Sequence, residues 1–349
     1  MKHFIVVDAD IPQLLNNALF NPAEAAKVSH TILPLCYLAS QAKLSGLEFV
    51  TPDVYEQRKV EPHKAVLMSH MITGNTQRLI AEGVKPAILF SQESPLIALR
   101  FFVNLKKYAK KFDHVIVFEG FRRLVQKTKA QFHPMYFPEP YPAKAITPQL
   151  WSEKKLVTMI SGNKRSPLTF KKILGMILSG RFYRELYRER LQVVEYWSDK
   201  GFDLYGMGWN KPMPGETSQL RSAISACYQG PVDDKIAILR GYKFTFTFEN
   251  TIAPGYLTEK IFDAMVAGSV PIYLGAPDIE RFIPTDCFVD MRNYKTMDEL
   301  EQSLAGVSEE TYNKYIAAIN RFLTSDGYRK FSQEAFSQMV LSILKPYFA

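Results

Sequence analysis

The first half of the chain alternates short apolar runs with stretches of helical spacing. "HFIVVDAD" (3–10), "KAVLMSH" (64–70), "PAILFSQESP" (86–95) and "HVIVFEGF" (114–121) each hold an apolar core and end in polar residues. Runs of this length bounded by polar loops predict strands. Helical patterns lie between them, at 76–83 and 97–111. The alternation predicts βαβ units around a parallel sheet. Residues 132–151, "FHPMYFPEPYPAKAITPQLW", break the pattern with Pro134, Pro138, Pro140, Pro142 and Pro148. A helix or central strand cannot carry that many prolines, so this stretch is expected to be an extended linker.

After it the pattern restarts with a strand, "KLVTMISGN" (155–163). A basic stretch follows, 164–190, with apolar residues at roughly helical spacing. Then come a helix (190–198), the strand "FDLYGMGW" (202–209), a helix (232–240), the strand "KFTFTF" (243–248), a helix (258–267), the strand "VPIYLGA" (270–276) and a helical C-terminal part, 309–349. No repeat or low-complexity tract is visible. The expectation is an α/β fold of two Rossmann-like domains, 1–150 and 151–349, with parallel sheets facing a central cleft where ligands bind.

At 349 residues the chain is long enough for two such cores. Hydrophobic residues make up 47% and charged residues 22%, which argues against disorder. The formal charge of +8 favours anionic partners without choosing among phosphates, nucleic acid and an acidic membrane face. Cys36, Cys227 and Cys287 are odd in number and lack CxxC spacing, so buried free thiols are expected rather than disulfides or a zinc site. The opening "MKHFIVVDAD" turns polar too soon for a signal peptide. No apolar run approaches the roughly 18 residues of a membrane span, so a cytoplasmic location is expected, with contact to an anionic membrane surface through basic residues.

Candidate chemistry concentrates after strand 243–248. Phe244, Phe246 and Phe248 alternate with Thr245 and Thr247, which predicts one strongly apolar face. Glu249-Asn250 end the strand, Pro254-Gly255 signal a turn, and Thr258 is placed to cap a helix whose first turn holds Glu259 and Lys260. Ile261, Phe262, Met265 and Val266 form its apolar stripe, and Gly268 ends it. Glu249, Asn250, Tyr256, Glu259 and Lys260 thus gather where a strand's carboxyl end meets a helix N-terminus, whose free N–H groups suit a phosphate. At ~4 Å and an effective dielectric of ~20, a Lys–phosphate contact contributes about 4 kcal/mol before desolvation.

The stretch "FTFTFENTIAPGYLTEKIFDAMVAGSVPIYLGAPDIERFIP" (244–284) resembles the signature of the α-1,3/4-fucosyltransferases, glycosyltransferase family 10. That pattern is a strand, F-E-N, Y-[VIL]-T-E-K, a helix, then V-P-[IV]-Y-x-G. "FDLYGMGW" is similar to the family's D-V-Y-G strand end, and "VTMISGNKR" (157–165) to its S-N strand end, with Gly162 intruding. The resemblance implies a GT-B architecture and an inverting transfer of fucose from GDP-fucose to a glycan hydroxyl, with no required cofactor or metal. Carried over, Asn250, Tyr256, Glu259 and Lys260 match donor-binding residues, Glu259 meeting the fucose and Lys260 the diphosphate. A phosphate-binding arginine is expected at Arg190, with Arg188 as the alternative; Val193, Val194 and Trp197 follow Arg190 at the family's spacing. Arg181 and Arg184 are read as a solvated or membrane-facing surface. Tyr205 sits near the base-binding positions. The general base is expected at Glu93, in "ESP", with Glu119 as the fallback. Asp8-Ala9-Asp10 has the D-x-D form of metal-dependent transferases but equally suits a loop cap, and no metal is assigned to it.

The sequence leads us to expect neither the membrane anchor and disulfides of the Golgi enzymes nor the heptad tail of some bacterial members. The chain is closer to bacterial enzymes that decorate lipopolysaccharide or similar glycans. Two alternatives are the same fold with another nucleotide sugar and a basic nucleic-acid binder. "LKKYAKKF" (105–112) favours the latter weakly, since its lysines at i, i+4 spacing suit a solvated helix face. No RRM, KH or helix-turn-helix pattern is visible, and no G-x-G-x-x-G follows a strand to suggest a dehydrogenase.

Overall fold

The computed structural model describes residues 3–9, 11–165, 169–179 and 183–348. Asp10 and Arg181 lie outside them. The chain divides into two compact units: Met1–Pro142 with Leu174–Arg181 and Arg329–Ala349, and Ala143–Ile173 with Phe182–Tyr328.

The first unit holds strands β1 (His3–Asp8), β2 (Leu47–Val50), β3 (Ala65–His70), β4 (Lys85–Phe90), β5 (His114–Val117) and β6 (Gln131–Pro134). They form one parallel sheet in the order β2-β1-β3-β4-β5-β6. Val6, Val7, Leu67, Ile88, Leu89, Ile116 and Val117 are fully buried, as a sheet covered on both faces requires. The prolines of 132–151 conceal β6, which lies at the sheet edge with Pro134 as its last residue, where a missing N–H costs nothing. Lys106, Lys107, Lys110 and Lys111 stand on an exposed face, as expected of "LKKYAKKF".

The second unit holds β7 (Lys155–Ile160), β8 (Arg184–Glu185), β9 (Phe202–Tyr205), β10 (Tyr228–Gly230), β11 (Tyr242–Phe248), β12 (Thr251–Ile252), β13 (Val270–Leu274) and β14 (Val289–Asp290). Six of these make a parallel sheet in the order β10-β9-β7-β11-β13-β14, and β8 pairs antiparallel with β12. β11 is central, so its Thr face is buried as well as its Phe face. The Thr247 hydroxyl donates to the Ile272 carbonyl at 3.2 Å and Thr245 meets Ser269 at 2.7 Å.

The division departs from the expected boundary of 150/151 at three places. It falls at 142/143, and both Leu174–Arg181 and Arg329–Ala349 group with the first unit rather than the second. The last of these has a clear cause. The reason is packing: the Gln333–Leu344 helix buries Phe336, Val340, Ile343 and Leu344 and lies against the Leu33–Leu44 helix. Tyr347 donates to Asp113 at 2.7 Å, and Gln333 donates its backbone N–H to the Glu139 carbonyl at 2.9 Å. Cys36, Cys227 and Cys287 are buried free thiols, and burial pushes them up to about 11, about 12 and about 12.

Candidate active site

A parallel sheet opens a crevice where its strand order reverses, because the flanking connections leave in opposite directions. In the second sheet that point lies between β7 and β11. Ser161 follows β7, and Glu249-Asn250 follow β11.

Three local devices converge there. The β8–β12 ribbon ties the loop after β11 to the chain entering the Tyr187–Trp197 helix. Glu185 caps that helix, accepting from the Tyr187 N–H at 2.6 Å and the Arg188 N–H at 3.3 Å. One turn on, Arg190 is buried, and its guanidinium donates to the Phe248 carbonyl at 2.6 Å, Asn250 Oδ1 at 3.0 Å and Ser161 Oγ at 3.4 Å. Burial pushes its pKa down, opposed by Tyr187, Glu249, Tyr256 and Glu259; a guanidinium stays protonated throughout. Arg188 instead is 79% exposed and pairs with Glu185 at 3.5 Å. Of the two candidate arginines, the structure brings only Arg190 to the crevice.

The third device is the turn into the Glu259–Ala267 helix. Thr258 occupies the cap position, yet its hydroxyl makes no capping bond. It donates to Glu249 Oε2 at 2.8 Å, while its N–H donates to Glu249 Oε1 at 2.8 Å. The expected cap is thus diverted to a fully buried carboxylate, and the helix's first N–H groups keep no side-chain cap. Lys260 donates to Thr258 Oγ1 at 2.9 Å and Glu259 Oε1 at 3.1 Å, and stands 3.5 Å from Glu249. Burial acts to lower the Lys260 pKa, but Glu259 and Glu249 outweigh it and hold the ammonium above its ordinary value. Burial likewise acts to raise Glu259, but Lys260 and then Lys235 bring it down to about 2. Glu249 goes the other way, raised by burial against the pull of Lys260. Gly275 makes room for this arrangement: a Cβ there would meet the Tyr273 hydroxyl at 2.4 Å and Glu249 Cγ at 2.5 Å. Tyr256 is buried close enough to Arg190 to act on it electrostatically.

The structure therefore brings Arg190, Asn250, Tyr256, Glu259 and Lys260 together. Tyr205 is not among them: its hydroxyl meets Tyr242 at 3.0 Å, in a network with Asp203 and Lys155. Beside the crevice, sequence reading overlooked a lock between the ends of β7 and β9. Trp209 donates to the Ser161 carbonyl at 2.5 Å, Asn163 to the Gly208 carbonyl at 3.2 Å, and Arg165 to Glu216 at 2.9 Å. Gly206, with φ +128°, permits it, since a Cβ would lie 2.1 Å from the Ser161 oxygen. The glycines of "YGMG" were its only sequence trace.

In the first unit the reversal lies between β1 and β3. Asp8 ends β1, and its carboxylate accepts from the hydroxyls of Thr73 and Thr76, the latter at 2.7 Å. This occupies Asp8 as a loop and helix cap. His70 ends β3 and accepts from the Gln92 N–H at 3.5 Å. Burial lowers its pKa to about 4, opposed by the Ala9 backbone and Asp8, so the ring is neutral at pH 7. The ring was not singled out from sequence; it braces the loop that carries Glu93. Among the described residues, the half-buried Glu93 carboxylate has no hydrogen bond or ion pair, and only the backbone N–H is engaged, to Ser91. Glu119 is held by Arg122 in a two-pronged pair, at 2.6 and 3.1 Å. A carboxylate so neutralised is the poorer proton acceptor.

Residues 203–336 match the model described as Glycosyltransferase family 10 (fucosyltransferase) C-term. The match covers less than half of the chain. The chain is 33% identical over 116 residues to the Helicobacter pylori alpha-(1,3)-fucosyltransferase FucT, covering 33% of this chain and 24% of that protein. It is 39% identical over 79 residues to human alpha-(1,3)-fucosyltransferase 7, covering 22% of this chain and 23% of that one. These alignments span a quarter or less of the curated relatives' length. Among solved structures, an alpha1,3-fucosyltransferase matches with a TM-score of 0.53 at 16% identity, covering 99% of this chain and 90% of that one. Anabaena HepE, solved with UDP and glucose, matches with 0.54 at 12% identity, covering 99% and 100%. At such identities the likeness shows the fold, the GT-B class of two parallel-sheet α/β units. The matched segment contains every member of the crevice cluster except Ser161 and Arg190.

Proposed function

We propose that the chain transfers L-fucose from GDP-fucose to a hydroxyl of a glycan acceptor, inverting the anomeric carbon. The observation that supports this most is the pairing of Arg190 and Lys260 beside an uncapped helix N-terminus that the family 10 match covers. Lys260 and the free N–H groups suit the donor's diphosphate, and Arg190 and Asn250 its flank. The acceptor oxygen attacks C1 of fucose from the face opposite GDP. The C1–O bond to phosphate breaks, its electron pair leaves with GDP, and the acceptor's proton passes to Glu93. Glu259, ionised and fixed by Lys260, is the partner for the sugar hydroxyls.

The cationic cluster offsets the charge of the departing diphosphate, so this reading assigns no step to a metal. Similarity to the Helicobacter pylori enzyme supports an α-1,3 linkage. An N-acetylglucosamine or glucose unit of lipopolysaccharide or a similar glycan, met on the cytoplasmic side of a bacterial inner membrane, is the acceptor this reading carries. A panel of GDP- and UDP-sugars, assayed for donor hydrolysis and thermal stabilisation with and without chelator, tests it without knowledge of the acceptor. GDP-fucose alone is expected to be hydrolysed, chelator notwithstanding. A preference for a UDP-sugar would overturn the donor assignment.

A further inference from the structure

The Phe170–Ser179 helix turns Phe170, Ile173, Leu174 and Ile177 to solvent, at 79, 43, 42 and 57% exposure. Their spacing of i, i+3, i+4 and i+7 places them on one face. Ten large apolar residues are exposed among the described residues, and four of them stand on this one helix. Scattered exposed apolar side chains are ordinary, but a contiguous stripe marks an interaction surface. Met176, on another face, is buried.

Charge indicates what the stripe meets. Residues 164–190 carry eight Lys or Arg against two Glu, most of the chain's excess of +8. Lys164, Arg184 and Arg188 among them are exposed. An apolar protein groove would account for the stripe but not for this charge. An anionic bilayer accounts for both, since acyl chains take the apolar face and lipid phosphates the cations. No helix among the described residues is long and apolar enough to cross a membrane. The flanks are fixed as well: Arg165 to Glu216 on one side, β8 to β12 on the other.

We propose that the Phe170–Ser179 helix docks the protein on an anionic lipid surface. The four exposed side chains enter the boundary between headgroups and acyl chains, and the exposed Lys164, Arg184 and Arg188 face the phosphates. The inference goes beyond sugar transfer and does not rest on the donor's identity. Full-length protein is sedimented with phosphatidylcholine vesicles, with and without phosphatidylglycerol, at low and moderate salt. Binding is expected only with phosphatidylglycerol, and it weakens with salt. Ile173→Glu with Ile177→Glu should reduce partitioning roughly tenfold or more. Arg184→Gln with Arg188→Gln should reduce it roughly fivefold per charge and flatten the salt dependence. Phe170→Trp, which keeps an aromatic at an exposed position, should be quenched by brominated acyl chains. Absence of partitioning and of quenching would overturn the proposal. So would a dimer, seen by light scattering, that the double Ile variant dissociates while vesicles remain unbound.

Discussion

In the first unit the strand order turns between β1 and β3; in the second it turns between β7 and β11. The two crevices have the same topological origin and opposite furnishing. The first is lined by Asp8, held by two hydroxyls, and by His70, a ring kept neutral, with Glu93 unpaired on the next loop. The second is lined by Arg190, a guanidinium that stays protonated and donates to Asn250, and by Lys260, an ammonium kept charged by Glu259 and Glu249. Sheet order makes a crevice, and the three or four residues beyond each strand end decide what it holds. A diphosphate suits the cationic one, and a sugar hydroxyl that must lose a proton suits the other.

The largest break of that contrast comes from Glu93→Gln. If the first crevice supplies the base, this variant loses roughly a hundred- to ten-thousandfold in transfer while GDP affinity stays as it was. Single-turnover transfer and calorimetric titration of GDP measure the two quantities separately. Unchanged turnover removes Glu93 from its role. Glu119→Gln is the control, since Arg122 already occupies that carboxylate.

Lys260→Ala strikes the other crevice. Loss of a charge-assisted contact to the diphosphate should weaken GDP by about ten- to a hundredfold. The variant also strands Glu249 and Glu259 without their nearest cation, so the melting temperature of the unliganded protein should fall too. GDP binding unaltered by the change would contradict the phosphate contact even if stability dropped.

The second crevice was far more legible in sequence than the first, for a physical reason. Between Phe248 and Lys260 the chain makes one strand end, the two-residue β12, one turn and one helix start, so contiguous residues become neighbours in space. The first crevice is assembled from Asp8, His70, Thr73 and Gln92, whose proximity depends on three separate strands pairing. Non-local packing also hid the allegiance of Arg329–Ala349, whose apolar stripe reads the same whichever unit it covers. β2, only four residues long and carrying Glu48, and β6, capped by Pro134, fall below what periodicity can show. The direction of the Thr258 hydroxyl was beyond reach for another reason: a good capping residue near an unsatisfied carboxylate serves the carboxylate.

Protonation separates the crevices at intermediate effect size. The folded-state value of His70, about 4, lies below its ordinary 6.5, so the unfolded chain binds the extra proton between those values. That contribution is complete above pH 6.5 and is lost as pH falls toward 4, on the order of 3 kcal/mol. Glu259, depressed from 4.5 to about 2, loses its contribution in the lower window instead. Glu249, raised by burial, has the opposite sign: its contribution is present at low pH and lost as pH rises through the carboxylate range. Melting temperature against pH should therefore show an upper acid branch that His70→Gln flattens. If the slope between pH 6.5 and 4 survives that change, the buried neutral ring is not its source.

The smallest expected effect sharpens the comparison most finely. Arg188 and Arg190 are two residues apart on one helix, and a helix turns about 200° over that distance. The first therefore faces solvent at 79% exposure while the second is buried against Phe248 and Asn250. Arg188→Ala removes an exposed ion pair with Glu185, which contributes about 0–1 kcal/mol, and should leave GDP affinity within twofold. Arg190→Ala withdraws three hydrogen bonds from the crevice and should weaken GDP at least as much as the loss of Lys260 does. Titrating GDP into both variants compares one sequence, one helix and one charge type at two orientations. Equal losses from the two would mean that bulk positive charge holds the nucleotide, not a guanidinium fixed at the β7–β11 reversal.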